Sequence, residues 1–116
     1  MNREEIKVRT KQFALRVIRL VEALPKSYAA EVIGKQLLRA ATSVGANYRA
    51  ACRARSKAEF VAKLGIVEEE SDECSYWLEL IVEAGLVKHE RVADLMKEAD
   101  EITAIMVSSI QTARSK

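Results

Sequence analysis

The chain has 116 residues, of which 49% are hydrophobic and 31% are charged, and its formal net charge is +2. This balance excludes a disordered polyelectrolyte and suits a single domain with one buried core. One Pro and four Gly are too few for the turns of an all-β protein, so the composition predicts an all-α fold.

Apolar residues recur at three- and four-residue spacing in four stretches, which predicts four helices. Their lengths, about 22 to 28 residues, correspond to helices of about 33 to 42 Å. Matched lengths and short connections favour antiparallel neighbours. The sequence therefore predicts one domain over residues 1–116, an up-down-up-down antiparallel four-helix bundle with helices at about 3–24, 28–54, 57–84 and 89–113.

Several residues mark the predicted helix ends. Asn2 suits the cap of the first helix, and Pro25 ends that helix. Ser56 begins an S-x-x-E capping box, in which the Glu59 side chain is expected to return to the Ser56 backbone N–H. Gly85 is placed to adopt the left-handed conformation after the third helix. These residues place the breaks between the helices.

Charge is distributed unevenly along the middle of the chain. From Lys35 to Lys63 there are seven bases and one acid, whereas from Leu64 to Glu83 there are seven acids and no base. Adjacent segments of opposite charge indicate polar contacts within the fold or between subunits.

A line of bases on the second helix is the first candidate site. Lys35, Arg39, Arg49 and Arg53 fall within about 40° of one line that is about 27 Å long, with Arg55 and Lys57 at its end. Bases at such spacing could contact successive phosphates of RNA or DNA without sequence preference. The alternatives are a solvated face or pairing with the acidic third helix of the same or another chain.

Ser43 and Asn47 form a second candidate site at the edge of the apolar stripe of the second helix. Their polar side chains could bond across a helix interface and fix its register. A bound-ligand role is also possible, although the sequence indicates no particular ligand.

No pattern in the sequence indicates an enzyme. His89 is the only histidine, and no partner for a catalytic triad lies near it. HExxH, Glu-x-x-His and phosphate-binding glycine motifs are absent. The pattern of acids between Glu68 and Glu83 indicates a solvated helix face. Cys52 and Cys74 lie on or beside apolar stripes, which indicates small core residues. We expect no catalytic residue, no metal, no cofactor and no small-molecule substrate.

Targeting and membrane signals are also missing. The N-terminal segment lacks the apolar region of a signal peptide, and no stretch of the chain has the length of apolar sequence that spans a bilayer. The two cysteines do not form a CxxC pair or a disulfide framework. The sequence therefore predicts a cytoplasmic protein without membrane contact.

The runs RAATSVGANYRAACRARSKAEF and LGIVEEESDECSYWLELIVEAGL closely resemble the bacterial four-helix bundle family named for 23S rRNA intervening-sequence proteins. The resemblance covers nearly the whole chain and is densest from Leu37 to Leu86. It implies an up-down helical bundle, assembly as a homopentamer and no established enzymatic activity. A related branch, the accessory proteins of diversity-generating retroelements, is basic and associated with nucleic acid, and the net charge of +2 departs from that pattern.

Two functions are compatible with these features. The first is a non-enzymatic homo-oligomeric scaffold or interaction module. The second is sequence-tolerant RNA or DNA binding through the basic line of the second helix.

Overall fold

The computed structural model describes residues 1–116 and contains four α-helices and no strand. The helices are α1 (Arg3–Glu22), α2 (Tyr28–Cys52), α3 (Lys57–Glu83) and α4 (His89–Arg114). Each packs against its neighbours in the chain, while α1 and α4 contact each other only sparsely. The molecule measures 47 × 20 × 19 Å. The predicted all-α four-helix bundle is confirmed.

The helix ends follow the capping chemistry of the sequence. Asn2 Oδ1 accepts a hydrogen bond from Glu5 N at 2.8 Å, and Glu5 Oε1 accepts one from Asn2 N at 3.1 Å. At the other end, α1 stops at Glu22, two residues before the predicted end at Leu24. Leu24 N donates to Val21 O in a tight final turn, because the residue before Pro25 is kept out of the helical conformation.

The predicted capping box at the start of α3 forms in an altered way. Ser56 Oγ accepts from Glu59 N at 3.1 Å as expected. The Glu59 carboxylate, however, accepts from Arg55 N at 3.1 Å and not from Ser56 N. The Glu59 side chain therefore bonds one residue before the predicted position and restrains the loop that precedes the cap.

The end of α3 is closed by a glycine. Gly85 has φ of 75°, the left-handed conformation that glycine adopts without steric cost. Leu86 N donates to Ile81 O at 3.0 Å and Gly85 N donates to Val82 O at 3.0 Å. This pair of bonds is the Schellman arrangement, and it turns the chain toward α4.

The core is a single cluster of 23 buried apolar residues. Its largest fully buried side chains come from all four helices and include Phe13, Leu37, Leu64, Leu78, Ile102 and Met106. Thr10 and Ser71 are the only buried polar residues, and both hydroxyls are hydrogen bonded. The bond of 2.7 Å between Ser71 Oγ and Thr103 Oγ1 joins α3 to α4.

An ion-pair cluster links α1 to α4, where the direct helix contact is sparse. Arg9 Nε lies 2.6 Å from Glu98 Oε2, and Arg9 Nη2 lies 2.8 Å from Glu98 Oε1 and 2.8 Å from Glu101 Oε1. The bond to Glu98 holds the pKa of Arg9 above its ordinary value. Because the Arg9 and Glu98 side chains are only 22% and 16% exposed, this pair is better shielded than a surface salt bridge.

Arg9→Met is expected to lower the free energy of unfolding by about 1–3 kcal/mol, because it leaves the half-buried Glu98 carboxylate without its partner. Urea unfolding of the variant measures the change. Lys7→Met is the matched control, since it removes the exposed Lys7–Glu4 pair of the same helix. Equal destabilisation by the two substitutions would contradict a special role for Arg9.

Candidate interaction surface

The basic line predicted on the second helix lies on the outer face of α2. The side chains of all its members are exposed: Lys35, Arg39, Arg49, Arg53, Arg55 and Lys57. Lys35 Nζ pairs with Glu31 Oε1 of the same helix at 3.3 Å, and the other five bases form no ion pair within the chain. We call these six residues the basic stripe.

The acids of α3 form an exposed counterpart. Glu69, Asp72, Glu73, Glu79 and Glu83 are exposed, and none of them forms an ion pair within the chain. Tyr76 lies among them and is 55% exposed. We call this set, with Tyr76, the acidic face. Pairing between the basic stripe and the acids of α3 within one chain, one of the alternatives from the sequence, is therefore not formed.

Glu70 of α3 is half-buried, and its surroundings include Arg39 of the basic stripe and Glu73 of the acidic face. Burial raises the pKa of Glu70, the neighbouring Glu73 raises it further, and Arg39 and the Ser43 hydroxyl lower it. Arg39 thus compensates part of the cost of placing a carboxylate here, although it makes no ion pair with it.

Glu70→Gln is expected to raise the free energy of unfolding at neutral pH. Since the folded-state pKa lies above the ordinary 4.5, the folded protein binds this proton more tightly than the unfolded chain. Ionisation of Glu70 therefore lowers the free energy of unfolding as the pH rises through the raised pKa of this group. Glu70→Gln has no ionisable group at this position, so it avoids that loss of stability.

Urea unfolding of Glu70→Gln and the parent protein should show this gain near neutrality and little gain at a pH below 4.5, the ordinary pKa. Glu69→Gln, which changes an exposed neighbour, is the control. A gain of the same size at both pH values would show that ionisation of Glu70 is not its cause.

Ser43 and Asn47 are both half-buried on α2. Asn47 Nδ2 donates to Ser43 Oγ at 2.8 Å and to Ser43 O at 3.0 Å. These bonds lie within one helix. Across the interface, Ser43 faces Glu70 closely enough to lower the pKa of that carboxyl.

A cavity that no sequence pattern predicts lies at one end of the bundle. The cavity has a volume of about 630 Å³ and is lined by residues from all four helices and the α2–α3 loop. Its bases are Arg3, Arg55, Lys57 and Lys116. Because these residues are far apart in sequence, only the folded chain brings them together.

The remaining titratable groups fit structural roles. Burial raises the pKa of the fully buried Cys74 thiol to about 12 and that of Tyr48 to about 12. His89 is exposed at the first position of α4.

No group of three or more His, Cys, Asp or Glu residues is arranged to hold a metal ion. None of the four helices combines the length and apolar composition needed to cross a membrane.

These features define a class of small helical bundles whose most distinctive surfaces are charged helix faces. The chain belongs to the 23S rRNA-intervening sequence protein family, whose model matches residues 3–108. The resemblance read from the sequence is thereby confirmed.

A solved structure supports the same assignment. It is a protein of unknown function from the S23 ribosomal protein family of Bacteroides thetaiotaomicron, 34% identical to this chain. The match covers 96% of this chain and 99% of that one, with a TM-score of 0.88. No match was found among curated proteins. Neither the family nor this neighbour indicates an enzymatic activity.

Proposed function

We propose that this protein is a self-associating helical interaction module, in which the basic stripe of one copy docks on the acidic face of the next. The observation that supports this most is that one subunit exposes both surfaces and pairs neither with the other. Complementary potentials on two copies would steer association and set the relative orientation of the copies.

The two surfaces are compatible in length and in chemistry. The basic stripe extends about 27 Å from Lys35 to Arg53, and the acidic face extends about 21 Å from Glu69 to Glu83. The acidic face contains the exposed Tyr76, and Tyr28, which is 84% exposed, lies at the start of α2, before the run of bases. Tyrosine supplies apolar area with a polar tip, which suits it to anchor an otherwise polar interface.

The proposed contact is heterologous, because it joins two different surfaces of identical subunits. Such contacts produce a closed ring when the rotation between subunits closes, and a filament when it does not. The family resemblance points to a ring of five copies. A ring of this kind would act as a scaffold that presents the remaining helix faces to partners.

Native mass spectrometry at micromolar concentration tests the proposal, and we expect one dominant assembly, of five subunits. Raising the salt concentration should weaken this assembly, because ions screen exposed charge pairs. A monomer throughout this concentration range at low salt would overturn the proposal.

A second candidate function is RNA or DNA binding by the same basic stripe. It is favoured by the absence of any ion pair for Arg39, Arg49 and Arg53. No aromatic side chain interleaves with these bases, so contact with phosphates is favoured over stacking on bases.

Salt-dependent duplex binding distinguishes this function. The log of the affinity should fall with the log of the salt concentration, by about 0.9 per phosphate neutralised. Arg39→Ala/Arg49→Ala/Arg53→Ala should flatten that slope, whereas Lys97→Ala, at an exposed base of α4, a helix that does not pack on α2, should not. Binding that is unchanged in the triple variant would exclude the stripe as the nucleic-acid contact.

A further inference from the structure

The cavity at the end of the bundle is built from four separate parts of the chain. It lies where α1 and α3 begin and where α2 and α4 end, and Ala54, Arg55 and Ser56 of the α2–α3 loop form part of its lining. Arg3 comes from α1, Arg55 from the loop and Lys57 from α3, so three bases from three segments reach one space.

No acid neutralises these bases. The residues that line the cavity include no Asp or Glu, and Arg3, Arg55, Lys57 and Lys116 form no ion pair elsewhere in the chain. The acids nearest in sequence have other partners. Glu4, next to Arg3, pairs with Lys7 at 3.1 Å, and the Glu59 carboxylate accepts from the backbone N–H of Arg55. The cavity therefore concentrates positive charge with low competition from carboxylates.

The cavity also contains hydroxyl groups and the Arg3 guanidinium, which lies against an aromatic ring. Ser108, Ser109 and Thr112 of α4 line part of its wall. The Arg3 guanidinium carbon lies 4.7 Å from the centroid of the Phe60 ring, a distance at which a cation is attracted to an aromatic face. This contact restricts the Arg3 side chain and lowers the entropy lost when it binds an anion.

We propose that this cavity binds the phosphate group of a small phosphorylated molecule of about nucleotide size. Arginine and lysine side chains form short, charge-assisted hydrogen bonds with phosphate oxygens, and hydroxyls complete the coordination of such groups. The volume of about 630 Å³ exceeds what phosphate alone needs and lies within the usual range for small-molecule sites. This inference goes beyond the proposed self-association. Arg55 and Lys57 belong to both the stripe and the cavity, whereas Arg39 and Arg49 belong to the stripe alone.

Calorimetric titration of the full chain with AMP, adenosine and inorganic phosphate tests the proposal. AMP should bind, inorganic phosphate should compete with it, and adenosine should bind at least about tenfold more weakly, because it lacks the charge-assisted bonds. Equal binding of AMP and adenosine, or no binding of AMP at millimolar concentration, would overturn the proposal.

Two variants assign the binding to this cavity. Arg3→Gln and the double variant Arg55→Gln/Lys57→Gln should each weaken AMP binding about tenfold or more. A glutamine at position 55 still has the backbone N–H that donates to the Glu59 carboxylate, so the loop bond is kept. Arg19→Gln/Lys26→Gln removes two exposed bases near the opposite end and is the matched control. AMP affinity that falls equally in the control and the cavity variants would refute a specific site.

Cys52 provides an independent readout, since it is half-buried and lines the cavity, whereas Cys74 is fully buried. Bound AMP should slow the reaction of Cys52 with a thiol reagent in the parent protein and not in Arg55→Gln/Lys57→Gln. An unchanged rate at saturating AMP would place the ligand elsewhere and reject the proposal.

Two further measurements separate this site from other sources of phosphate and from the basic stripe. A 5′-phosphorylated dinucleotide is compared with its 5′-hydroxyl form as a competitor of AMP. Competition by the phosphorylated form alone would show that the same site also binds the phosphorylated ends of nucleic acids. Arg39→Ala/Arg49→Ala alters the stripe and should leave AMP affinity unchanged. A parent protein that stays monomeric and still binds AMP would refute the proposed self-association alone.

Discussion

Phe13→Ala is expected to lower the free energy of unfolding by about 3–5 kcal/mol, one of the two largest effects predicted for this chain. Phe13 is fully buried on α1, and its removal leaves a cavity that the close-packed helices fill only partly. The helix α1 packs mainly on α2 and contacts α4 only sparsely, so its buried stripe supplies most of its attachment. Loss of this ring therefore weakens the attachment of the whole helix.

Chemical denaturation of Phe13→Ala measures this effect, and Ile18→Ala is the control on the same helix. Ile18 is 37% exposed, so its truncation removes less buried area and should cost much less. Similar losses for the two substitutions would show that α1 is held by something other than its buried stripe.

Arg49→Glu/Arg53→Glu is expected to dissociate the proposed assembly into monomers. The substitutions place acids on the basic stripe and so turn its attraction for the next subunit's acidic face into repulsion. Both side chains are exposed and make no ion pair in the chain, so the fold should be retained. Native mass spectrometry measures the assembly, and circular dichroism checks the helical content.

Combining these changes with Glu69→Arg/Glu73→Arg provides a stringent test. The second pair alone should also dissociate the protein, whereas the fourfold variant exchanges the two charges and should assemble again. Nucleic-acid binding by α2 would be lost in Arg49→Glu/Arg53→Glu and not restored by the fourfold variant. An assembly that survives either double variant would rule out the proposed contact.

Most of the fold could be predicted from the sequence, because helix periodicity and capping are local. Asn2, Ser56 and Gly85 act within a few residues of themselves, and the structure shows the predicted conformation at each of them. The Glu59 carboxylate accepts from Arg55 N and not from the predicted Ser56 N, because the choice between these two N–H groups depends on the loop conformation.

Features of the candidate sites that depend on distant residues could not be predicted. The sequence placed the bases of α2 on one line, but whether acids of α3 neutralise them depends on how the two helices are rotated against each other. The cavity joins Arg3 to Arg55 across more than fifty residues, and no local pattern links them. The environment of Glu70 likewise arises only when α2 and α3 pack together.

The pattern of helix packing, in which neighbours in the chain make nearly all the contacts, also has a kinetic consequence. Each helix can pair with the previous one across a short loop, so little chain entropy is lost before contacts form. Proteins with such low contact order fold in microseconds to milliseconds. The α1–α4 contact joins the most distant parts of the chain, so we expect the Arg9 ion pairs to form after the three helical hairpins.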